Sequence, residues 1–385
     1  MQRRRFISLA SQAAVAVAGP AWALRGWAQE GAAVPGVTDQ TITIGSSLAL
    51  TGTLAGFGQA IEQGAGAAFA QVNAQGGVHG RQLKLALVDD GYEPERSVAN
   101  VKKILQDGSA LALLSCVGTA NNTAITPLIE AAGIPHVAPL SGAASLRRNE
   151  RFVFHVRAGY TEEMQRLVQR LVGMGLKGIA VVYLANGYGR EMHQVAVAEL
   201  QKRGASAAAE VELEVNGGNI SKVLQTLKQA RPSAVLLATA GTPSLDMVRG
   251  IKQQLPGVLL AGLSVTLQGL KLDESVSGMA VTTIVPDPDK GKIALVRDYQ
   301  SAMRAAGHTE FSNGSLEAYI SARVLIDGLR RVGKDPAPIR LRAALASIRN
   351  FDLGGFVIDY GGQPPFVGSR YIELGVLGGN GRFIG

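Results

Sequence analysis

The sequence predicts an α/β protein built as two doubly wound lobes. Two successive series of alternating strand and helix patterns point to this, at roughly 30 residues per unit, as parallel sheets require. So does a length of 385 residues, beyond the roughly 250–300 at which a single core stops growing. Abundant glycine (48 residues) with only 5% aromatics suits many tight strand–helix turns better than a β-sandwich or a coiled coil.

The first series opens with a strand over 41–50, a glycine-studded turn over 51–58 and a helix ending near Gly76-Gly77. Strands over 83–88, 111–117 and 134–138 follow, separated by helices over 94–105 and 121–132, with Pro139 closing the last strand. The second series begins with a helix over 161–174. Strands at 179–183, 207–213, 234–240 and 259–263 then alternate with helices ending at 203, 230 and 254. The remaining helices, near 292–306, 313–332 and 337–348, and strands, near 279–285, 356–359 and 370–376, are too few for a third domain and complete the first two. In open α/β sheets, ligands sit beyond the carboxyl ends of the strands. Two such sheets facing each other form a cleft, a favoured place for a small molecule.

The first 28 residues read as an export signal. Arg3, Arg4 and Arg5 precede an apolar run over 7–18, Pro20 ends it, and small residues follow; this order of regions defines a cleavable signal peptide. Gly26-Trp27-Ala28 places the cut before Gln29, and Ala21-Trp22-Ala23 offers Leu24 as the rival start. Arg3-Arg4-Arg5-Phe6-Ile7 also resembles the twin-arginine export pattern. A membrane span needs ~20 apolar residues, and this run is too short. The segment holds four arginines and no acid, so its removal takes the formal charge from +8 to +4. The remaining Lys and Arg are scattered among acids, a pattern that does not support nucleic-acid binding.

Catalytic and cofactor signatures are missing. The five histidines are not paired at metal-ligand spacing, and no nucleophile elbow, Walker loop or kinase set occurs. The 52–58 turn lacks the third glycine of a dinucleotide fingerprint. Asp89-Asp90 and Glu162-Glu163 fall at a strand end and a helix start, where capping and dipole pairing account for acids. Cys116 lies in an apolar run and reads as a buried structural thiol. The pattern is that of a binding scaffold that needs no cofactor or metal.

The order of motifs carries a resemblance. Ile42-Thr43-Ile44-Gly45, Thr51-Gly52, Phe57-Gly58, the run from Gln75 to Arg81, Val88-Asp89-Asp90, Gly118-Thr119, Ala132-Gly133-Ile134-Pro135, Pro139 to Leu146 and Asn186-Gly187-Tyr188-Gly189 together resemble periplasmic solute-binding proteins of the branched-chain amino-acid type. The likeness spans about 41–385. It implies a type I periplasmic binding fold whose lobes are joined by three hinge crossings, near 158–162, 279–284 and 369–373. The N-terminal lobe would comprise 41–160 and 284–370, and the C-terminal lobe 161–283 and 371–385. It further implies a periplasmic monomer that delivers a small carboxylate or amino acid to an ABC permease, with a soluble ligand sensor of the same fold as the alternative.

By the same resemblance, Thr119 binds the ligand carboxylate from a strand end, and the backbone of Leu140, Ser141 and Gly142 grips the ligand's ionic groups. Phe57 and Tyr188 are aromatics on opposite lips, and Ala240 lies in a further contact loop. Amino-acid-binding members place an acid after the last strand of the second lobe, where Ser264 stands here. Either Glu163 supplies the missing charge, or the ligand is an amine-free aromatic, keto or hydroxy acid. Arg157, just before the first crossing, is a second anion anchor or a hinge salt bridge.

Overall fold

Each strand series closes into its own sheet. The computed structural model describes residues 33–379 and 381–384, so the expected signal peptide over 1–28 lies outside the described residues. The first run comprises β1 (Thr41–Leu48), α1 (Ala55–Ala74), β2 (Gln82–Asp89), α2 (Pro94–Asp107), β3 (Ala112–Leu114), α3 (Thr119–Ala132), β4 (His136–Val137) and β5 (Val153–His155). The second comprises α4 (Tyr160–Gly173), β6 (Ile179–Leu184), α5 (Gly187–Lys202), β7 (Ala207–Leu213), α6 (Ile220–Ala230), β8 (Ala234–Ala238), α7 (Thr242–Gln254), β9 (Leu259–Gly262) and β10 (Ala280–Thr283). The chain then returns through α8 (Ala294–Ala305), α9 (Asn313–Val332), α10 (Pro338–Ala346), the small hairpin β11 (Phe351–Asp352) and β12 (Val357–Ile358), and β13 (Phe366–Val367). It finishes with β14 (Glu373–Leu377) and β15 (Phe383–Ile384).

The first sheet has the order β2-β1-β3-β4-β5-β13, and the second β7-β6-β8-β9-β10-β14-β15. The core five strands of each are parallel and share one winding order, with β14 and β15 added antiparallel. This is the doubly wound order whose switch point lies between the first and third strands of each run. Burial explains the sequence patterns. β8, covered on both faces, is an unbroken apolar run with every residue buried. The sheet-edge strands β2 and β7 alternate instead, because one face of each meets solvent. The chain passes between the sheets three times: from β5 to α4, from β10 to α8, and from β13 to β14. From Ala33 onward the lobes pack as one compact unit.

Several elements differ from expectation for local reasons. β3 stops at Leu114 because Ser115 takes a left-handed φ of 53°, leaving 115–118 as an irregular path to α3. The expected turn at 187–189 is the first turn of α5, capped by the Asn186 side chain accepting from the Gly189 amide at 2.9 Å. β5 is an additional strand; the apolar run Phe152-Val153-Phe154 was its signal in the sequence. Asp89 and Asp90 are structural. Asp89 accepts from the amides of Leu50, Thr51 and Gly91, and Asp90 from the hydroxyls of Ser47 and Ser97. Cys116 is buried, and burial pushes its thiol up to about 12.

His136 and His155 stand on β4 and β5, fully buried. Burial pulls the His136 imidazole down to about 3 and His155 well below its ordinary value. The unfolded chain therefore takes up protons below about pH 6.5 while the native protein does not. The stability this neutrality confers is complete above that pH and is lost progressively toward about pH 3. At pH 5, His136 alone should cost about 2 kcal/mol. Denaturant unfolding at pH 7.5 and pH 5 measures the loss. His136→Gln should flatten the dependence by about that amount, and an unchanged slope would rule out a buried neutral imidazole.

Candidate functional site

Each sequence-predicted site residue lies in a segment that follows the carboxyl end of a strand. Phe57 is in the first turn of α1 after β1, Thr119 opens α3 after β3, and Leu140, Ser141 and Gly142 follow β4. Tyr188 opens α5 after β6, Ala240 follows β8 and Ser264 follows β9. The segments after β1 and β3 flank the switch point of the first sheet, and those after β6 and β8 flank that of the second.

On the first lobe, Gly118 precedes α3 with φ 97°, and a Cβ there would fall 2.2 Å from the Tyr92 ring. Only glycine lets the chain turn under that ring. The first helical bond runs from the Asn122 amide to the Gly118 carbonyl, so the amides of 119–121 precede the ladder and suit an anion. The Thr119 and Ser141 hydroxyls meet at 2.8 Å, both buried. The backbone of 140–142 is largely engaged by the protein. Leu140 exchanges hydrogen bonds with the 116–118 segment, the Ser141 amide donates to Pro139, and the Gly142 carbonyl accepts from the Tyr160 amide at 2.8 Å.

Arg157 forms the centre. Its side chain is 1% exposed, its Nη2 donates to the Ser264 hydroxyl at 2.7 Å, and it lies 3.6 Å from Glu163 and 3.4 Å from Glu317. Burial opposes its charge, but Glu317, Tyr160 and Glu163 more than offset this and hold its pKa above the usual arginine value. Glu317 is pushed up by burial against the pull of Arg157. Glu163, fully buried, accepts from the Ser264 amide at 2.9 Å, the Ser264 hydroxyl at 3.1 Å and the Thr282 hydroxyl at 2.5 Å. This acid therefore does more than complement a helix dipole. The cluster joins the first crossing (Arg157) to the second lobe (Glu163, Ser264) and to α9 of the first (Glu317), where Gln268 also donates to Glu317.

The guanidinium stacks on the Tyr160 ring at 4.8 Å, and Tyr160 meets Tyr188 edge-on at 5.0 Å. Two donor nitrogens of Arg157, Nε and Nη1, and the Tyr188 hydroxyl are buried without a hydrogen-bond partner. Nη1 still faces Glu317 at 3.4 Å, whereas Nε and the Tyr188 hydroxyl have no acceptor; each such group costs roughly 1–3 kcal/mol if left so. Tyr160, Glu317 and Gln268 escaped the sequence reading. Helix periodicity marks Glu317 only as part of α9 and cannot show that this side of the helix faces a charge.

The lobes touch at several points. Glu191 of α5 accepts from the Ala144 amide at 2.6 Å and the Ser145 hydroxyl at 2.7 Å. Gly241 abuts Thr53 and Leu54, and a Cβ on Gly56 would lie 1.8 Å from the Gly269 carbonyl oxygen. No group of His, Cys, Asp and Glu among the described residues is arranged to hold a metal. No described helix is long and apolar enough to cross a membrane.

Paired doubly wound lobes with sites at their facing strand ends define a two-lobed binding protein. The chain belongs to the periplasmic binding protein family, whose model matches residues 41–364. A leucine-, isoleucine-, valine-, threonine- and alanine-binding protein of Pseudomonas aeruginosa is 24% identical over 313 residues, covering 78% of this chain and 81% of its own. Among solved structures, a substrate-binding periplasmic protein from Ralstonia solanacearum is 29% identical with a TM-score of 0.82, covering 89% of this chain and 99% of its own. A possible leucine/isoleucine/valine-binding protein from Rhodopirellula baltica is 26% identical with a TM-score of 0.83, covering 92% and 98%.

The interlobe contacts predict how closure responds to substitution. Gly56→Ala leaves helix α1 intact but places a methyl where Gly269 must approach. X-ray scattering should show a more open particle at unchanged melting temperature, and unchanged dimensions would mean that this contact does not limit closure. Glu191→Gln, which keeps size but loses charge-assisted acceptance, should shift the same balance by about 1 kcal/mol.

Proposed function

We propose that this chain is an exported binding protein that captures a small carboxylate lacking an α-amino group between its lobes and presents it to an ABC permease. One observation carries the choice of ligand: Glu163 and Glu317, the buried carboxylates of this cluster, are both engaged by Arg157. Glu163 in addition holds three donors of its own lobe. An ammonium brought into this site would compete with a buried guanidinium, and displacing a buried charge from its partner costs several kcal/mol. A carboxylate meets the opposite circumstance: the Arg157 Nε and the Tyr188 hydroxyl have no acceptor, and Thr119, Ser141 and the opening amides of α3 offer further donors.

In this reading Thr119, Ser141 and Gly142 hold the carboxylate end, with Arg157 as second anchor. Phe57, Tyr188 and Tyr160 shape the apolar remainder, and the loops at Leu140, Ala240 and Ser264 close the walls. The ligand binds and leaves unchanged. Export through the N-terminal signal puts the protein in the periplasm, where it acts as a monomer. The Pseudomonas relative is named for amino acids, which favours the second reading, an α-amino acid ligand held with its ammonium on Glu163 or Glu317.

Matched ligand pairs separate the two. A thermal-shift series should show stabilisation by aromatic, 2-oxo or 2-hydroxy acids and little by leucine or valine. A ligand at 100 times its dissociation constant adds ~2.7 kcal/mol to native stability. Amino acids outperforming their deaminated analogues would reverse the assignment. Thr119→Val should weaken the bound carboxylate by roughly 1–3 kcal/mol, measured by calorimetry; unchanged affinity would remove Thr119 from the site.

A further inference from the structure

A second concavity lies at the hinge, lined by parts of both lobes and two of the three crossings. Its volume is about 640 Å³, and its lining includes Ala158 and Gly159 of the first crossing and Ser369 and Arg370 of the third, with Arg147 and Arg166. Three guanidiniums thus line one cavity, and none lies within 4.0 Å of a carboxylate among the described residues. Arg147 donates through Nη2 to the carbonyls of Arg157 and Ala158, both at 3.0 Å, while its Nε is buried without an acceptor. Arg166 donates one Nη1 bond to the Ile372 carbonyl at 2.8 Å, and Arg370 is exposed.

The one acid in the lining, Glu162, is placed against Gly159 at the head of α4: a Cβ on that glycine would fall 2.1 Å from Glu162 Oε2. Nearby Glu191 is engaged by Ala144 and Ser145. Burial, and then repulsion from Arg157, lowers Arg147 to about 10, and the attraction of Glu162 and Glu163 only partly offsets this. Planar guanidiniums with spare N–H groups are suited to bidentate capture of carboxylate or phosphate oxygens.

We propose that this hinge cavity binds a small multivalent oxyanion through Arg147, Arg166 and Arg370, separately from the ligand between the lobes. Arg147 already grips the first crossing and Arg370 belongs to the third, while Arg166 rides on the first helix of the second lobe. An anion shared by the three ties together the segments that must move relative to one another when the lobes rotate. Hinge motions concentrate their backbone changes in such short segments, so occupancy biases the open–closed balance.

Citrate and inorganic phosphate serve as probes, titrated calorimetrically into the full protein at fixed ionic strength set with chloride. Saturable one-site binding is expected, with citrate the tighter. The double variant Arg166→Gln/Arg370→Gln, at two exposed positions, should weaken citrate at least about tenfold, with its melting temperature in chloride alone unchanged. The paired lysine variant, which keeps charge but not the planar fork, should fall between. Binding that is absent in the parent, or equally strong in the double glutamine variant, overturns the proposal. So does an equal loss on changing Arg330 and Arg331 to Gln, since association would then be diffuse. If the glutamine pair lowers the melting temperature, Arg370→Gln alone decides, with at least threefold weakening expected and none overturning the site.

Discussion

Arg157 is buried in the link between the lobes, and much of the surrounding structure follows from the requirement to keep its charge compensated. A buried cation deprived of one partner costs several kcal/mol, so the groups around it are fixed together. Glu163 comes from the second lobe, Glu317 from a helix of the first, and Ser264 from the loop that follows β9. Tyr160 offers its ring face beneath the guanidinium and its amide to Gly142. The geometry of one side chain thereby ties the first crossing to the second lobe's loop and to α9 of the first lobe.

Much of the fold was readable because burial imprints itself on sequence. Strands covered on both faces, such as β8, are continuous apolar runs, and edge strands such as β7 alternate. The two-residue strands β4, β11, β12 and β13 leave too short an imprint to bound. Their pairing comes from neighbours, as when the His136 and Ala138 amides reach the Phe152 and Phe154 carbonyls. Thr119, Ser141 and Tyr188 stand out by resemblance rather than by a local signal, since a hydroxyl at a helix start or a half-buried tyrosine is ordinary by itself; the structure puts each in a segment that follows a strand end. Glu317 and Gln268 could not be named in advance, since nothing local to 268 or 317 shows that their side chains meet 49 residues apart. Arg157 was noticed with its role open between ligand anchor and hinge ion pair. The structure gives it the ion pairs and leaves its Nε without an acceptor.

The hinge and the cleft are two sides of one set of segments. Residues 157–160 supply the guanidinium and the tyrosine ring of the buried cluster, while Ala158 and Gly159 line the cavity at the hinge. Arg147, bonded to the carbonyls of Arg157 and Ala158, couples the two sides directly. The like-charged pair tolerates this proximity because Arg157 has its own acids, whereas Arg147 has none within ion-pairing distance.

The return of the chain to both sheets near its end has a consequence for biogenesis. β13 completes the first sheet and β14 with β15 extends the second, so each lobe waits for strands that follow residue 365 before its sheet is full. Until then β5 and β10 present open edges with unpaired backbone groups, which invite pairing with other chains.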